Sequence, residues 1–301
     1  MILDGKKLKQ TILNDLREEV SELIEKPKLV VIQVGHDEAS NVYIKQKKNM
    51  CETVGYQYQH ITLEETTTTE EILNIINKLN SDPRVNGILV QMPLPIQIDT
   101  NLIQNAVLPE KDVDGLTDIN AGKLIHNKDA LLPCTPYGVM ELLKSYNISL
   151  EGKNVVIVGR SNLVGKPLAA LMLNAGATVD VCHSKTIDLS KHTHTADILV
   201  SAVGKPKLIT KEMVKEHAVI IDVGITRTAN GLCGDVDYEN VSPIASYITP
   251  VPGGVGPMTV AMLAKNILKA YKIQRMNNNI LFTNYNLKIK KLNNHKKTEV
   301  K

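Results

Sequence analysis

Apolar positions along the chain follow two alternating rhythms. From Lys7 to Ile24, Leu8, Ile12, Leu16, Val20 and Leu23 recur every three to four residues, which predicts an amphipathic helix closed by Pro27. Leu29 to Val34 is a continuous apolar run of strand length, and Gly35-His36-Asp37 turns out of it. Ser40 is expected to cap the next helix, which runs toward Val54 with Gly55 as its stop. Tyr56 to Ile61 alternates as a strand, Glu70 to Leu79 returns to the helical period, and Val85 to Met92 reads as a third strand ending at Gln91-Met92-Pro93-Leu94-Pro95. Strands alternating with helices predict a parallel sheet whose ligands sit at the strand carboxyl ends.

The middle of the chain breaks the rhythm. Pro109 to Leu116 lacks periodicity and reads as loop, and Pro133-Cys134-Thr135-Pro136 marks a boundary, since each proline restricts the residue before it. A helix from Pro136 to Leu143 leads into a second βα region. There Asn154 to Val158, Ala177 to Cys182, Ala196 to Val203 and Ala218 to Val223 read as strands, with shorter helical pieces such as Lys211 to Lys215. A glycine-proline loop, Thr249 to Pro257, precedes a last helix over Thr259 to Ala270, with Pro257 suited to its first turn.

Composition adds bounds. The 301 residues are enough for two compact domains, and 43% apolar with 22% charged residues is globular usage. No apolar run approaches the roughly 20 residues that span a bilayer, and the start has no signal-peptide pattern, so a cytoplasmic protein without membrane contact is expected. Cys51, Cys134, Cys182 and Cys233 are far apart, as for free thiols rather than a disulfide framework. The net charge of +3 belongs to the tail: residues 276–301 carry six lysines and one glutamate, so the rest of the chain sums to −2. The body is therefore no nucleic-acid binder on charge grounds. The Asn/Lys-rich tail is mostly aperiodic and is expected to be disordered and without a role in catalysis.

Gly159-Arg160-Ser161-Asn162-Leu163-Val164-Gly165-Lys166-Pro167 lies between a strand and a helix that begins near Val164, the context of a phosphate-binding turn. Gly159 allows the tight turn, Gly165 allows close approach of backbone or ligand, and Arg160 and Ser161 supply a cation and a hydroxyl. The next strand ends at Cys182, where NAD-binding folds place a carboxylate for the ribose; here the tip reads His183-Ser184-Lys185, and Asp180 lies inside the strand. Donors and positive charge around that position favour NADP over NAD.

Other positions keep two readings. Tyr43 and Lys47 share a helix face and could flank a flat ligand, or could be a surface lysine packed on a tyrosine. Gln91 could face a ligand or bond its own turn, and Asp114 could be functional or form an Asx-turn feeding Gly115. His192 and His194 form an H-x-H, but no Cys, Asp or Glu at ligand spacing accompanies them, so no metal site is expected.

Tyr43-Ile44-Lys45-Gln46-Lys47, Gln91 to Pro95, Pro109 to Gly115, Pro133 to Pro136, Gly159 to Pro167 and Pro252 to Thr259 occur in one order. In these motifs, over about residues 1–272, the chain resembles the FolD family of bifunctional methylenetetrahydrofolate dehydrogenase/methenyltetrahydrofolate cyclohydrolases. The resemblance implies an α/β fold of two domains with a cleft between them. One is a three-layer αβα substrate domain with parallel strands, residues 1–135 completed by 257–275; the other is a Rossmann-like NADP-binding domain, 136–256. It implies NADP-dependent oxidation of 5,10-methylenetetrahydrofolate and hydrolysis of the methenyl product to 10-formyltetrahydrofolate in one pocket. By the same resemblance Lys47 handles protons in the hydrolysis, Gln91 supports it, Asp114 pairs with the pterin and Tyr43 stacks on the aminobenzoate. Gly253 and Gly254 border folate and nicotinamide, while Gly159, Arg160, Ser161, Gly165, Ser184 and Ile225 bind NADP. A homodimer through the nucleotide domains is also implied. Met92 departs from the leucine expected after Gln91, a volume-conserving change. A folate- or nucleotide-binding protein without turnover, or an enzyme with one activity, are the alternatives. The sequence does not decide whether the bonds before Pro93, Pro95 and Pro252 are cis.

Overall fold

The computed structural model describes residues 1–229 and 231–298, the side chains of 38, 39 and 277–298 excepted. Two parallel sheets organise the chain. The first half runs α1 (Gly5–Ser21), β1 (Lys28–Val34), α2 (Glu38–Val54), β2 (Gln57–Leu63), α3 (Thr69–Ser81), β3 (Gly87–Val90), α4 (Thr100–Ala106), α5 (Asp118–Ile125) and α6 (Cys134–Ser145). Its sheet has the order β2-β1-β3. β1 is buried on both faces from Leu29 to Val34, which is why its sequence is an unbroken apolar run rather than an alternating one.

The second half contains β4 (Asn154–Val158), α7 (Gly165–Asn174), β5 (Thr178–Cys182), α8 (Leu189–Thr193), β6 (Ile198–Ser201), β7 (Val219–Asp222), the antiparallel pair β8 (Thr226–Thr228) and β9 (Gly231–Cys233), α9 (Tyr238–Val241), β10 (Tyr247–Ile248) and α10 (Val255–Thr298). Its sheet has the order β10-β7-β6-β4-β5, all parallel. The order reverses at β4, so the crevice outside the carboxyl end of β4 is where a doubly wound sheet receives its ligand. The turn beginning at Gly159 stands there.

α10 packs on the first half. Met258, Met262, Ile267 and Leu268 share one core with Ile12, Leu16 and Val20 of α1 and with Met50 and Val54 of α2. The Tyr56 hydroxyl donates to the Ala264 carbonyl at 2.9 Å across this interface. Gly138 of α6 is required here, since a Cβ would stand 2.8 Å from the Met258 Cβ.

Several elements differ from the sequence expectation. Asp37, not Ser40, caps α2: its carboxylate accepts the Ser40 N–H at 2.7 Å, so the helix starts earlier. β3 is shorter than Val85 to Met92, because the Asn86 side chain takes the Lys28 N–H at one end and Pro93 offers no N–H at the other. α4 and α5, capped by Asp99 and Thr117, and the β8–β9 pair were not expected. Lys211–Met213 is a single 3-10 turn. α10 continues to Thr298, into the segment expected to be disordered; no glycine or proline follows Pro257 to end it. Residues 299–301 of that segment lie outside the described residues. The peptide bonds Met92-Pro93 and Val251-Pro252 are cis. Among the described residues no helix is long and apolar enough to cross a membrane.

Candidate active site

A cleft of about 410 Å³ opens between the two sheets. One wall carries Tyr43 and Lys47 from α2, Gln91 from the end of β3, and Asp114; the other carries Leu163 and Val164 from the turn before α7, with Ile225. Val255 and Gly256, at the start of α10, close the base.

Lys47 is held inward. Its Nζ donates to Gln91 Oε1 at 2.7 Å, and the Gln91 amide nitrogen donates in turn to the Met92 carbonyl at 2.7 Å. Gln91 is fixed from behind, because its backbone N–H continues the ladder to the Ile32 carbonyl at 2.8 Å. Burial lowers the Lys47 pKa below the usual ammonium range, with Asp114 and then Cys134 opposing the shift. The lysine is therefore a better base than a surface amine. Burial likewise raises the Asp114 pKa, against the attraction of Lys47.

The two aspartates of Asp112-Val113-Asp114-Gly115 divide their work. Asp112 is the structural one: its carboxylate accepts the N–H groups of Leu116 at 3.1 Å and Thr117 at 2.9 Å, and the Asn120 amide at 2.8 Å. Asp114 is thereby left to face the cleft. Gly115 has φ +71°, and a Cβ there would lie 2.3 Å from the Leu132 carbonyl carbon, so only glycine lets this loop approach the 132–134 segment. Buried Asn266 of α10 donates to the carbonyls of Val113 and Leu132, both at 2.8 Å, clamping the two segments together. Tyr43 remains half exposed at the mouth.

On the opposite wall the glycines serve backbone packing. A Cβ on Gly165 would stand 2.0 Å from the Gly159 carbonyl oxygen, and one on Gly159 2.6 Å from that of Ala202. The Gly159 N–H donates to the Cys182 carbonyl at 2.8 Å, which sets the 159–165 turn beside the 183–186 turn. Arg160, Ser161 and Ser184 are exposed there. α7 has no side-chain cap on its N-terminus. Asp180 is engaged elsewhere, against His192.

Of the expected site residues, the structure thus gathers Tyr43, Lys47, Gln91, Asp114 and Ile225 into the cleft, and sets Gly159, Arg160, Ser161, Gly165 and Ser184 at the adjoining strand tips. Gly253 and Gly254 do not line the wall. The Gly253 carbonyl accepts the Lys6 N–H at 3.0 Å, and Gly254 is packed against Gly5, so this loop is tied to the start of α1. The residues missed were Cys134, Thr135 and Thr259, which line the cleft, and Asn266 beneath it. Cys134 and Thr135 stand inside a motif that signalled only a boundary; a lone Asn in a helix gives no signal at all.

A family model for the tetrahydrofolate dehydrogenase/cyclohydrolase catalytic domain matches residues 3–114, and one for the NAD(P)-binding domain of the same family matches 133–275. The chain belongs to the tetrahydrofolate dehydrogenase/cyclohydrolase family. It is 54% identical over 276 residues to the bifunctional protein FolD of Nautilia profundicola, covering 90% of this chain and 97% of that one. It is 51% identical over 278 residues to the FolD of Staphylococcus aureus, covering 91% and 97%. Among solved structures, FolD from Campylobacter jejuni matches with a TM-score of 0.89 at 50% identity, covering 91% of this chain and 99% of that one. The Trypanosoma brucei enzyme, complexed with NADP cofactor and inhibitor, matches with a TM-score of 0.86 at 37% identity, over 90% and 97%. These matches span both sheets of this chain.

Proposed function

We propose that this chain oxidises 5,10-methylenetetrahydrofolate with NADP and hydrolyses the resulting 5,10-methenyl cation to 10-formyltetrahydrofolate, both in the cleft between the sheets. The observation that carries this reading is Lys47: a partly buried amine with a lowered pKa, 2.7 Å from Gln91, sharing a pocket with Asp114. Folate fits one wall, with the Asp114 carboxylate opposite the paired N–H groups of the pterin and the Tyr43 ring against the aminobenzoate.

The donor set at the strand tips fits NADP. Arg160, Ser161 and Ser184 offer a cation and hydroxyls for a 2′-phosphate, the uncapped N-terminus of α7 suits the diphosphate, and Ile225 borders the nicotinamide. When bound, the cofactor supplies hydride acceptance; the chain orients the methylene carbon toward it. In the hydrolysis, the neutral Lys47 amine takes a proton from the water whose oxygen bonds the methenyl carbon. It returns that proton to the ring nitrogen as the carbon–nitrogen bond breaks and the nitrogen keeps the electron pair, while the remaining hydroxyl proton leaves to solvent as the formyl C=O forms. A bound cation lowers the lysine pKa further, so the substrate prepares its own base. Gln91 holds the amine on that line.

In this reading residues 1–135, completed by 257–275, form the substrate domain and 136–256 the nucleotide domain. Gly253 and Gly254 fix the loop that ends in the cleft-lining Val255 and Gly256. The protein works as a cytoplasmic homodimer. The test is to supply purified protein with 5,10-methylenetetrahydrofolate and NADP. NADPH absorbance followed by 10-formyltetrahydrofolate is expected; tight binding of both compounds with neither product would overturn the reading.

A further inference from the structure

Two side chains of β5 and one of α8 that can ligate a metal meet outside the cleft lining. Asp180 and Cys182 are two residues apart on β5 and so face the same way, and α8 lays His192 against them. One donor atom from each lies within 4.8 Å of the others. We propose that Asp180, Cys182 and His192 form a binding site for a divalent transition metal of the zinc class, with solvent as the fourth ligand.

The donor chemistry selects the metal. A thiolate, an imidazole and one carboxylate are borderline-soft ligands suited to zinc and unsuited to magnesium or calcium, which take oxygen shells. Zinc–ligand bonds of about 2.0–2.3 Å place tetrahedral neighbours roughly 3.3–3.8 Å apart, so the widest pair has to close by about 1 Å. The means are present. Asp180 and His192 are 43% and 36% exposed and free to rotate apart from direct contact, while Cys182 is fully buried and forms the floor. Burial, and then the Asp180 carboxylate, push the Cys182 thiol up to about 11, with the Thr186 hydroxyl opposing them, so the empty site holds a thiol and an incoming metal has to displace its proton. On binding, the thiol proton leaves to solvent and an S–metal bond replaces the S–H bond.

An ion here would staple α8 to β5 directly beneath the 183–186 turn, whose His183 N–H bonds the Thr186 hydroxyl at 2.9 Å. An Asp–His ion pair with no metal affinity would leave all three groups as they stand, and the experiment separates the two. The full-length protein is titrated with Co2+ alone, which reports thiolate ligation by an intense near-ultraviolet charge-transfer band. One equivalent should produce the band and Zn2+ should displace it. Cys182→Ala should abolish it. His192→Gln, a polar replacement of similar size at a partly exposed position of α8, should weaken Co2+ binding by more than the roughly 10–100-fold that loss of an outer-shell partner costs. Absence of the band in the unmodified protein overturns the proposal, as does a band that survives His192→Gln with unchanged affinity. Wild-type melting temperature should rise with Zn2+ and that of His192→Gln should not.

Discussion

The two walls of the cleft treat their polar groups in opposite ways. On the folate side Lys47, Gln91 and Asp114 are drawn in from solvent, bonded to one another or displaced from their ordinary pKa values. On the nucleotide side Arg160, Ser161 and Ser184 stand exposed at strand tips, and the buried carboxylates Asp222 and Asp235 lie one layer below, occupied with backbone N–H groups. The difference matches the work that the proposed function gives each wall. A group that moves a proton needs its pKa set by its surroundings before the substrate arrives. A group that holds a phosphate needs only charge, hydroxyls and open access. Substitutions on the first wall should therefore change turnover, and those on the second should change affinity.

The strongest way to break this contrast is Lys47→Met. The side chain keeps its length and loses the amine, so methenyl hydrolysis should fall by about 100-fold or more, the contribution of one positioned base. NADP affinity should be unchanged. In the unmodified protein the hydrolysis rate should fall as pH drops below the lowered Lys47 value, because the protonated amine cannot accept a proton. Measuring both activities across pH on variant and wild type checks the assignment; normal hydrolysis in the variant would refute it.

Beneath the nucleotide wall the buried carboxyl of Asp222 is pushed up to about 6 from an ordinary 3.8, mainly by desolvation, even though it accepts N–H groups from Gly224, Asp235 and Val236. The native state thus holds this proton more tightly than the unfolded chain does. The stabilisation is complete below the unfolded value and is lost as pH rises through about 6, a swing of about 3 kcal/mol at most. The unfolding free energy that Asp222→Asn removes should accordingly shrink between pH 4 and pH 7 in urea titrations. A cost that grows with pH would show that the carboxylate is the favoured buried form.

Asp114→Asn sharpens the comparison from within the folate wall. Loss of a charge-assisted hydrogen bond, about 1.5–3 kcal/mol, should raise KM for the folate by roughly 10–100-fold in both reactions and leave KM for NADP alone. Asp112→Asn should instead destabilise the fold, because that carboxylate serves three donors of its own loop. If the two variants exchanged phenotypes, the division of labour in the loop would be wrong.

This pair of aspartates also shows what the sequence could convey. Spacing left Asp114 as either a functional group or the former of an Asx-turn, and only the fold shows that Asp112 takes the structural part, turned toward Leu116 and Thr117. The strand–turn–helix order and the glycine turn were readable because local periodicity and Gly159 carry them. The clamp of Asn266 on Val113 was not, since it joins residues 153 positions apart. Asp180, Cys182 and His192 were invisible as a group for the same reason: an H-x-H is judged by its neighbours in the chain, whereas its partners here come from the adjoining strand. Ser40 was misjudged as a cap because Asp37 and Ser40 both carry capping oxygens, and the turn geometry decides between them.

A smaller effect is expected from Arg160→Ala. The guanidinium is exposed, so its bond to a phosphate is screened and worth on the order of 1–1.5 kcal/mol. KM for NADP should rise about 10-fold, with kcat of the dehydrogenase unmoved and the penalty shrinking in high salt. KM for NAD, which lacks the 2′-phosphate, should change little. A fall in kcat with unchanged KM would place this arginine with the reacting groups and erase the distinction between the walls.

The smallest effect is expected from the segment after residue 275, since the described cleft lining ends at Leu263. α10 is buried among α1, α2 and α6 only as far as Tyr271, and its last described ion pair is Arg275 with Glu25. Beyond that point the segment brings six lysines and one glutamate to a chain otherwise of charge −2. Deleting 276–301 should leave both activities intact and shift stability by less than about 0.5 kcal/mol, as for surface changes away from any packed feature. Because the cleft is lined by residues up to Leu263, a large loss of either activity would mean that the tail reaches the cleft, and the loss would report which wall it touches. A rise in KM for NADP alone would place the basic tail beside the phosphate turn.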